Sequence, residues 1–375
     1  MKKLAVVCDF SEENWPSMDL FAVKLLENLR VGHTTLEAAP IRPAMIRRFG
    51  RLPLTSGRRF FFNADRLLNR WIDYPRILKP RVAEFDLFHV CDHSYAHLIH
   101  RLPAGRTGVF CHDLDAFRCL LEPQKEPRSF LFKAMARRIL SGLQKAAVVF
   151  HTTAAVRREI ERHGLLDPAR LVQAPCGVSP VFSPAAPETE PAEEVLSSMG
   201  GAPYLLHVGS CIPRKRIDLL LRIFAGLKAR RPELRLIQFG GVWTSAQAGL
   251  IETLGLKDAV RQLSGRDESF AASLYRQAAL VLLPSEAEGF GIPMIEALAC
   301  GKLVLASDIP SLREVGGDAA VYRPVGEVAT WVDAADQLLA DPASAPSREA
   351  RLAQPRRFSW PEHARIIFEA YRRLP

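Results

Sequence analysis

Short apolar runs separated by longer amphipathic stretches recur along the whole chain, and this alternation limits the possible folds more than any other feature. In the first half the runs fall at 4–8, 87–91, 107–111, 147–151 and 171–174, with helical patterns at 17–30, 128–144 and 153–163. In the second half they fall at 203–208, 234–239, 260–264, 279–283, 303–306 and 319–322, with helical patterns near 216–231, 268–277, 293–300 and 328–340. Runs of this length without polar alternation predict strands buried on both faces, which requires a parallel sheet covered by helices. A chain of 375 residues exceeds one comfortable core. Two doubly wound α/β domains facing each other across a cleft are therefore expected, with the cleft as the default ligand site. The segment SPAAPETEPAEEVLSSMGG, from Ser183, lacks a strand pattern and is rich in proline and acid. The expected division is 1–183, a linker at 184–201, and 202–357.

With 48% hydrophobic and 24% charged residues, the chain suits a folded soluble protein and excludes a disordered one. Its formal net charge of +9 favours partners that carry phosphate or acidic lipid. The excess is concentrated between 42 and 81, where Arg42, Arg47, Arg48, Arg51, Arg58, Arg59, Arg66, Arg70, Arg76, Lys79 and Arg81 face only Asp65 and Asp73. Phe60, Phe61, Phe62 and Trp71 are interleaved. Two readings fit: a surface that docks an anionic membrane or a lipid-diphosphate acceptor, or a solvated basic face with its aromatics turned inward. The stretch matches no nucleic-acid reader motif, so no nucleic-acid partner is expected. Seven cysteines show no two-residue gap of a zinc or redox site, and several lie in apolar runs. A cytoplasmic place is expected, with peripheral contact at the inner face of the membrane. The N-terminal run is too short and too soon followed by acid for a signal peptide, and no stretch reaches the length of a membrane span.

The densest chemistry lies between Leu282 and Arg313. A strand ends at Pro284, a glycine turn follows, Pro293 falls at the first helical position and Gly301 at the helix end. The turn Gly289-Phe290-Gly291-Ile292 would aim backbone N–H groups and a positive dipole end at a diphosphate. Glu288 in the turn and Glu296 one turn into the helix can both accept hydrogen bonds from ligand hydroxyls. Taken alone, such a pair reads as two surface carboxylates. A second feature runs from His207 to Leu227: a strand ends at Gly209, and Arg214 and Lys215 precede an amphipathic helix. Two cations there can hold a diphosphate leaving group.

The string PSEAEGFGIPMIEALACGKLVLASDIPSLREV resembles the E-x7-E region of retaining family-four glycosyltransferases, and the resemblance is strong over 200–325. It implies the GT-B fold, with two Rossmann-like domains and the C-terminal helix 360–375 packing back on the first. It also implies a metal-independent hexosyltransferase with no cofactor, using a GDP- or UDP-sugar and a glycan or lipid-linked acceptor. By resemblance Glu288 contacts the donor sugar and Glu296 the ribose, Gly209, Gly289, Phe290, Gly291 and Ile292 line the donor, and Arg214 and Lys215 take the phosphates. The loop at Gly265-Arg266-Asp267 would reach the base through Arg266, although a plain exposed loop fits it as well. His112, in VFCHDLDAF, is similar to the family's histidine facing the sugar, which makes His112, Lys215 and Glu288 the candidate catalytic groups. Ser210, where many members have arginine, and Cys176, where they have asparagine, depart from the pattern. The first loop offers Glu13, Asn14 or Ser17 as acceptor contacts. A different class, a catalytically weak sugar-nucleotide or lipid-binding protein of a polysaccharide assembly, stays open. A nicotinamide oxidoreductase fits less well, since no G-x-G-x-x-G follows the first strand.

Overall fold

The computed structural model describes residues 1–32, 35–49 and 59–374. The chain divides into two compact units, Met1–Gly177 with Trp360–Pro375, and Val178–Ser359. Each is built on one parallel six-stranded sheet.

In the first unit the strands are β1 (Lys2–Val7), β2 (Leu36–Ile41), β3 (Leu87–Val90), β4 (Thr107–Cys111), β5 (Val148–His151) and β6 (Leu171–Gln173), ordered 2-1-3-4-5-6. All of β3, β4 and β5 is buried, as mostly apolar central strands require, and the polar His89, Thr107 and His151 are buried with them. The edge strand β2 was not among the expected runs. Its sequence LEAAPI contains Glu37 and Pro40, and an edge position tolerates a proline that a central strand would not. The Tyr74 hydroxyl, 2.7 Å from the Cys8 carbonyl and 2.8 Å from that of Ile41, pins the ends of β1 and β2 together.

The C-terminal helix Trp360–Arg372 completes this unit. Trp360 packs edge-on to Phe21 at 5.4 Å, and His363 Nδ1 lies 2.9 Å from the Pro175 carbonyl. Tyr371 donates to the Phe88 carbonyl at 2.9 Å, in space left by Gly108, where a Cβ would collide with the Tyr371 hydroxyl.

In the second unit β7 (Tyr204–Gly209), β8 (Arg235–Gly240), β9 (Val260–Leu263), β10 (Leu280–Leu283), β11 (Val304–Ser307) and β12 (Val321–Arg323) are ordered 12-11-10-7-8-9. The chain steps outward through β7, β8 and β9, then returns and steps the other way from β10. The reversal opens a crevice between the carboxyl ends of β7 and β10, where doubly wound sheets bind ligands.

The unit boundary at Gly177 precedes the expected one, and the segment expected as a linker packs on the second unit. Arg276 grips Glu190 with two bonds of 2.6 Å, Ala192 N donates to Ser273 Oγ, and the helix Glu193–Ser197 buries Leu196. Its proline and acidic content suggested connecting sequence, but one of those acids neutralises a largely buried arginine.

Candidate functional site

The crevice at the second sheet is built from the two loops that leave β7 and β10. After β7, Gly209 takes φ +150°, and the Lys215 side chain runs back past it to within ordinary contact of where a Cβ would stand. The turn Pro213–Lys215 leads to Arg216 in the left-handed region, φ +50°, and then to the helix Ile217–Arg230. After β10, buried Ser285 begins the loop that carries Glu288. Glu286 N donates to the Arg214 carbonyl at 2.8 Å, which ties the loops together.

Three side chains then close on one carboxylate. Lys215 Nζ donates to Glu288 Oε1 at 2.6 Å, Ser285 Oγ to the same oxygen at 2.7 Å, and Arg214 to Glu288 Oε2 at 3.0 Å and the Ala287 carbonyl at 2.9 Å. Burial alone would raise the Glu288 pKa, but Lys215 and then Arg214 overcome it and pull the group down to about 2. The cations expected on the diphosphate and the carboxylate expected on the sugar thus meet each other. The reason is physical: a buried carboxylate and a buried lysine must be paired, and Lys215, with the partly buried Arg214, pairs with Glu288. His207, also buried, is held down to about 3 by burial and by the neighbouring Lys215.

The helix Ile292–Ala299 begins one residue before Pro293, which therefore occupies the second helical position rather than the first. Gly291 precedes it at φ +93°, where a Cβ would meet the Leu312 side chain. Phe290 is buried edge-on against Phe358 at 5.3 Å. Gly301 follows the helix at φ +71°. Glu296 faces a different environment from Glu288. It accepts from the Tyr275 hydroxyl at 2.9 Å, and burial raises its pKa to about 7. Arg266 is exposed, with its guanidinium 5.4 Å from the centre of the Phe270 ring, outside the Glu288 network. Its neighbour Asp267 caps the next helix through Phe270 N.

In the first unit the matching reversal lies between β1 and β3. There Asp9, 4% exposed, stands against Asp92, and neither Asp9 oxygen has a hydrogen-bond partner among the described residues. Burial first, then the Asp92 charge, raises the Asp9 pKa well above the carboxylate range. Glu13 is buried 3.5 Å from Arg70, which also donates to Ser94 and lies over the Tyr95 ring. Asn14 takes φ +54° at the end of this turn, and Ser17 is exposed. His112 follows β4. It stacks on Phe110 at 4.6 Å, meets Phe21 edge-on at 4.4 Å, and its Nε2–H donates to the Cys91 carbonyl at 2.8 Å. Burial lowers its pKa, against the pull of Asp92.

Sequence reasoning missed Ser285, Tyr275, and the Asp9–Asp92 pair. Ser285 had a signal, since it sits at a strand end three residues before Glu288. Tyr275 had none, because only the packing of its helix carries it to Glu296.

The basic stretch divides. Arg42 pairs with Asp19, Arg48 forms two bonds to Asp73, and Arg70 turns inward, so much of its charge is spent within the unit. Trp71 lies on His97 at 4.3 Å, whereas Phe60 and Phe62 stay exposed. Arg51 and Arg58 lie outside the described residues. Among the described residues no helix is long and apolar enough to cross a membrane, and no group of three His, Cys, Asp or Glu side chains could hold a metal ion.

Residues 189–354 match the family model described as glycosyl transferases group 1. The D-inositol 3-phosphate glycosyltransferase of Kineococcus radiotolerans is 33% identical over 247 residues, 60% of this chain and 57% of that protein. The O-antigen chain mannosyltransferase B of Escherichia coli is 28% identical over 312 residues, 81% of this chain and 80% of that protein. The chain thus spans little more than half of the first relative and four fifths of the second. Among solved structures, Anabaena HepE in complex with UDP and glucose superposes with a TM-score of 0.73 at 16% identity, covering 98% of this chain and 99% of that one. At that identity the likeness is one of fold.

Proposed function

We propose that the chain is a member of the glycosyl transferases group 1 family, whose model its residues 189–354 match, and that it transfers a sugar from a nucleoside-diphosphate donor to a hydroxylated acceptor, with retention of configuration. Its two Rossmann-like sheets, of the GT-B kind, support this reading. One observation carries this reading: Gly209, Arg214 and Lys215 from β7 and Ser285 and Glu288 from β10 converge at the reversal point of the second sheet. A donor diphosphate entering there would take over Arg214 and Lys215, leaving Glu288 to accept from sugar hydroxyls. Glu296 would accept from the ribose, and the Gly289–Ile292 turn would offer its backbone to the phosphates.

In the step itself the bond between the anomeric carbon and the diphosphate oxygen breaks, and its electron pair leaves with the nucleoside diphosphate. The acceptor oxygen bonds to the same face of that carbon, and its proton passes to the departing phosphate. Lys215 and Arg214 stabilise the growing negative charge, each fixed donor contributing about 3 kcal/mol. No step in this scheme calls for a metal. His112 is assigned to positioning the transferred sugar and Arg266 to the base, both on resemblance. The donor is a hexose-type sugar on UDP or GDP; the UDP and glucose bound by HepE and the mannosyl activity named for the E. coli relative support testing both classes. The acceptor is a glycan or lipid-linked glycan. Seven buried free thiols support a cytoplasmic place, and the exposed part of 42–81 supports peripheral contact with an anionic membrane.

Calorimetry against a panel of UDP- and GDP-hexoses, followed by a transfer assay with the tightest donor, tests the reading. Binding of one donor with transfer supports it. Binding without transfer favours the catalytically weak carrier, and binding of none sinks both.

A further inference from the structure

The helix Phe130–Leu143 holds its two ends very differently. Its C-terminal half is locked into the first unit: Ala136, Gly142 and Leu143 are buried, Ile139 and Leu140 pack on the core, and Gly142 lies so close to the Ala96 carbonyl that no Cβ would fit. Its first turn carries three consecutive large apolar side chains in the open, with Phe130 83%, Leu131 67% and Phe132 41% exposed. Ser129 caps that turn through Phe132 N at 3.3 Å, so the three are presented on ordered helix. Lys125, Arg128, Lys133, Arg137 and Arg138 flank them in sequence against only Glu122 and Glu126; Lys125 pairs with Glu122, and Arg128 pairs with Glu126 and lies 5.3 Å from the centre of the Phe132 ring.

We propose that this turn is an insertion tip that docks the protein on an anionic bilayer, Phe130 and Leu131 entering the acyl boundary while the cations meet lipid phosphates. Charge complementarity selects the occupant, since exposed aromatics rimmed by Lys and Arg are what an anionic lipid surface binds. Size argues in the same direction. A stable protein partner needs about 800 Å² from each side, which one helical turn does not supply. The tip is separate in sequence from the basic stretch 42–81 and does not depend on the donor-site reading.

The test is cosedimentation of the full chain with phosphatidylcholine vesicles, with or without about 30% phosphatidylglycerol, backed by melting curves and solution mass. Wild type is expected to bind the anionic vesicles at least about tenfold more tightly than the neutral ones. The double variant Phe130→Ser, Leu131→Ser should lose at least about tenfold with an unchanged melting temperature. Arg137→Glu with Arg138→Glu should weaken binding to anionic vesicles alone. The proposal is overturned if wild type binds neither vesicle, or if the serine variant binds like wild type while Phe60→Ser, Phe62→Ser abolishes binding. It is equally overturned if the serine variant splits a dimer and leaves vesicle binding intact, because a second copy would then cover the tip.

Discussion

Glu288 and Glu296 stand eight residues apart and ionise in opposite directions from an ordinary carboxylate. Lys215 and Arg214 keep Glu288 charged down to about pH 2, whereas Glu296, with only the Tyr275 hydroxyl, gives up its proton near pH 7. In the unfolded chain both would ionise near 4.5. Between that value and about 7 the unfolded state holds fewer protons at Glu296 than the native state, so this group lowers stability as pH rises. Glu296→Gln, which keeps an acceptor for Tyr275, should therefore be more stable than wild type at pH 8, by up to about 3 kcal/mol. The gain should vanish by pH 4.5, as read from urea unfolding at both values, and donor affinity should fall. Glu288 acts in the reverse sense: its contribution is complete above 4.5 and lost as pH falls towards 2. Lys215→Ala removes the shorter of its two ion pairs and, in the proposed mechanism, one stabiliser of the leaving group, so kcat should drop by about 100-fold or more. Near wild-type kcat in this variant would remove Lys215 from the mechanism.

At the scale of the element, the helix Ile292–Ala299 depends on a glycine that only its backbone angle explains. Gly291→Ala forces a side chain into φ +93° and against Leu312, a strain of about 1–3 kcal/mol that should lower the melting temperature and weaken donor binding. Gly249→Ala is the opposite case. It lies exposed within the helix Ser245–Thr253 with open space around it, and should gain about 0.5–1 kcal/mol with donor binding unchanged. Pro293 and Gly301 made this helix legible in the sequence because both act through local backbone geometry. The edge strand β2 was not legible, since LEAAPI becomes a strand only by pairing along β1. Nor was the docking of Glu190 on Arg276, two residues 86 positions apart.

For the whole molecule, the strand order decides which loops can share a site. Because each chain path reverses beside its first strand, the loops after β7 and β10 become neighbours, as do those after β1 and β3. The first unit also closes through the far end of the chain, with Trp360, His363 and Tyr371 filling space beside Phe21 and Gly108. A truncation after Ser359 should lower the calorimetric transition of the first unit by many degrees. The transition of the second unit, and its shift with donor, should stay in place; a uniform loss of both would show that the units do not melt separately.

The sequence by itself determined the parallel α/β class, most of the strand and helix periods, and the glycine turns. Those properties follow from local spacing and from residue chemistry that acts over a few positions. Only the tertiary structure decided that Glu288 is closed in by its own cations, that Tyr275 meets a Glu296 poised near neutrality, and that Asp9 is buried against Asp92. It also decided that Phe130 and Leu131 stand in the open. Burial and charge pairing are set by neighbours distant in the chain, and they determine whether a group is ionised, paired or exposed.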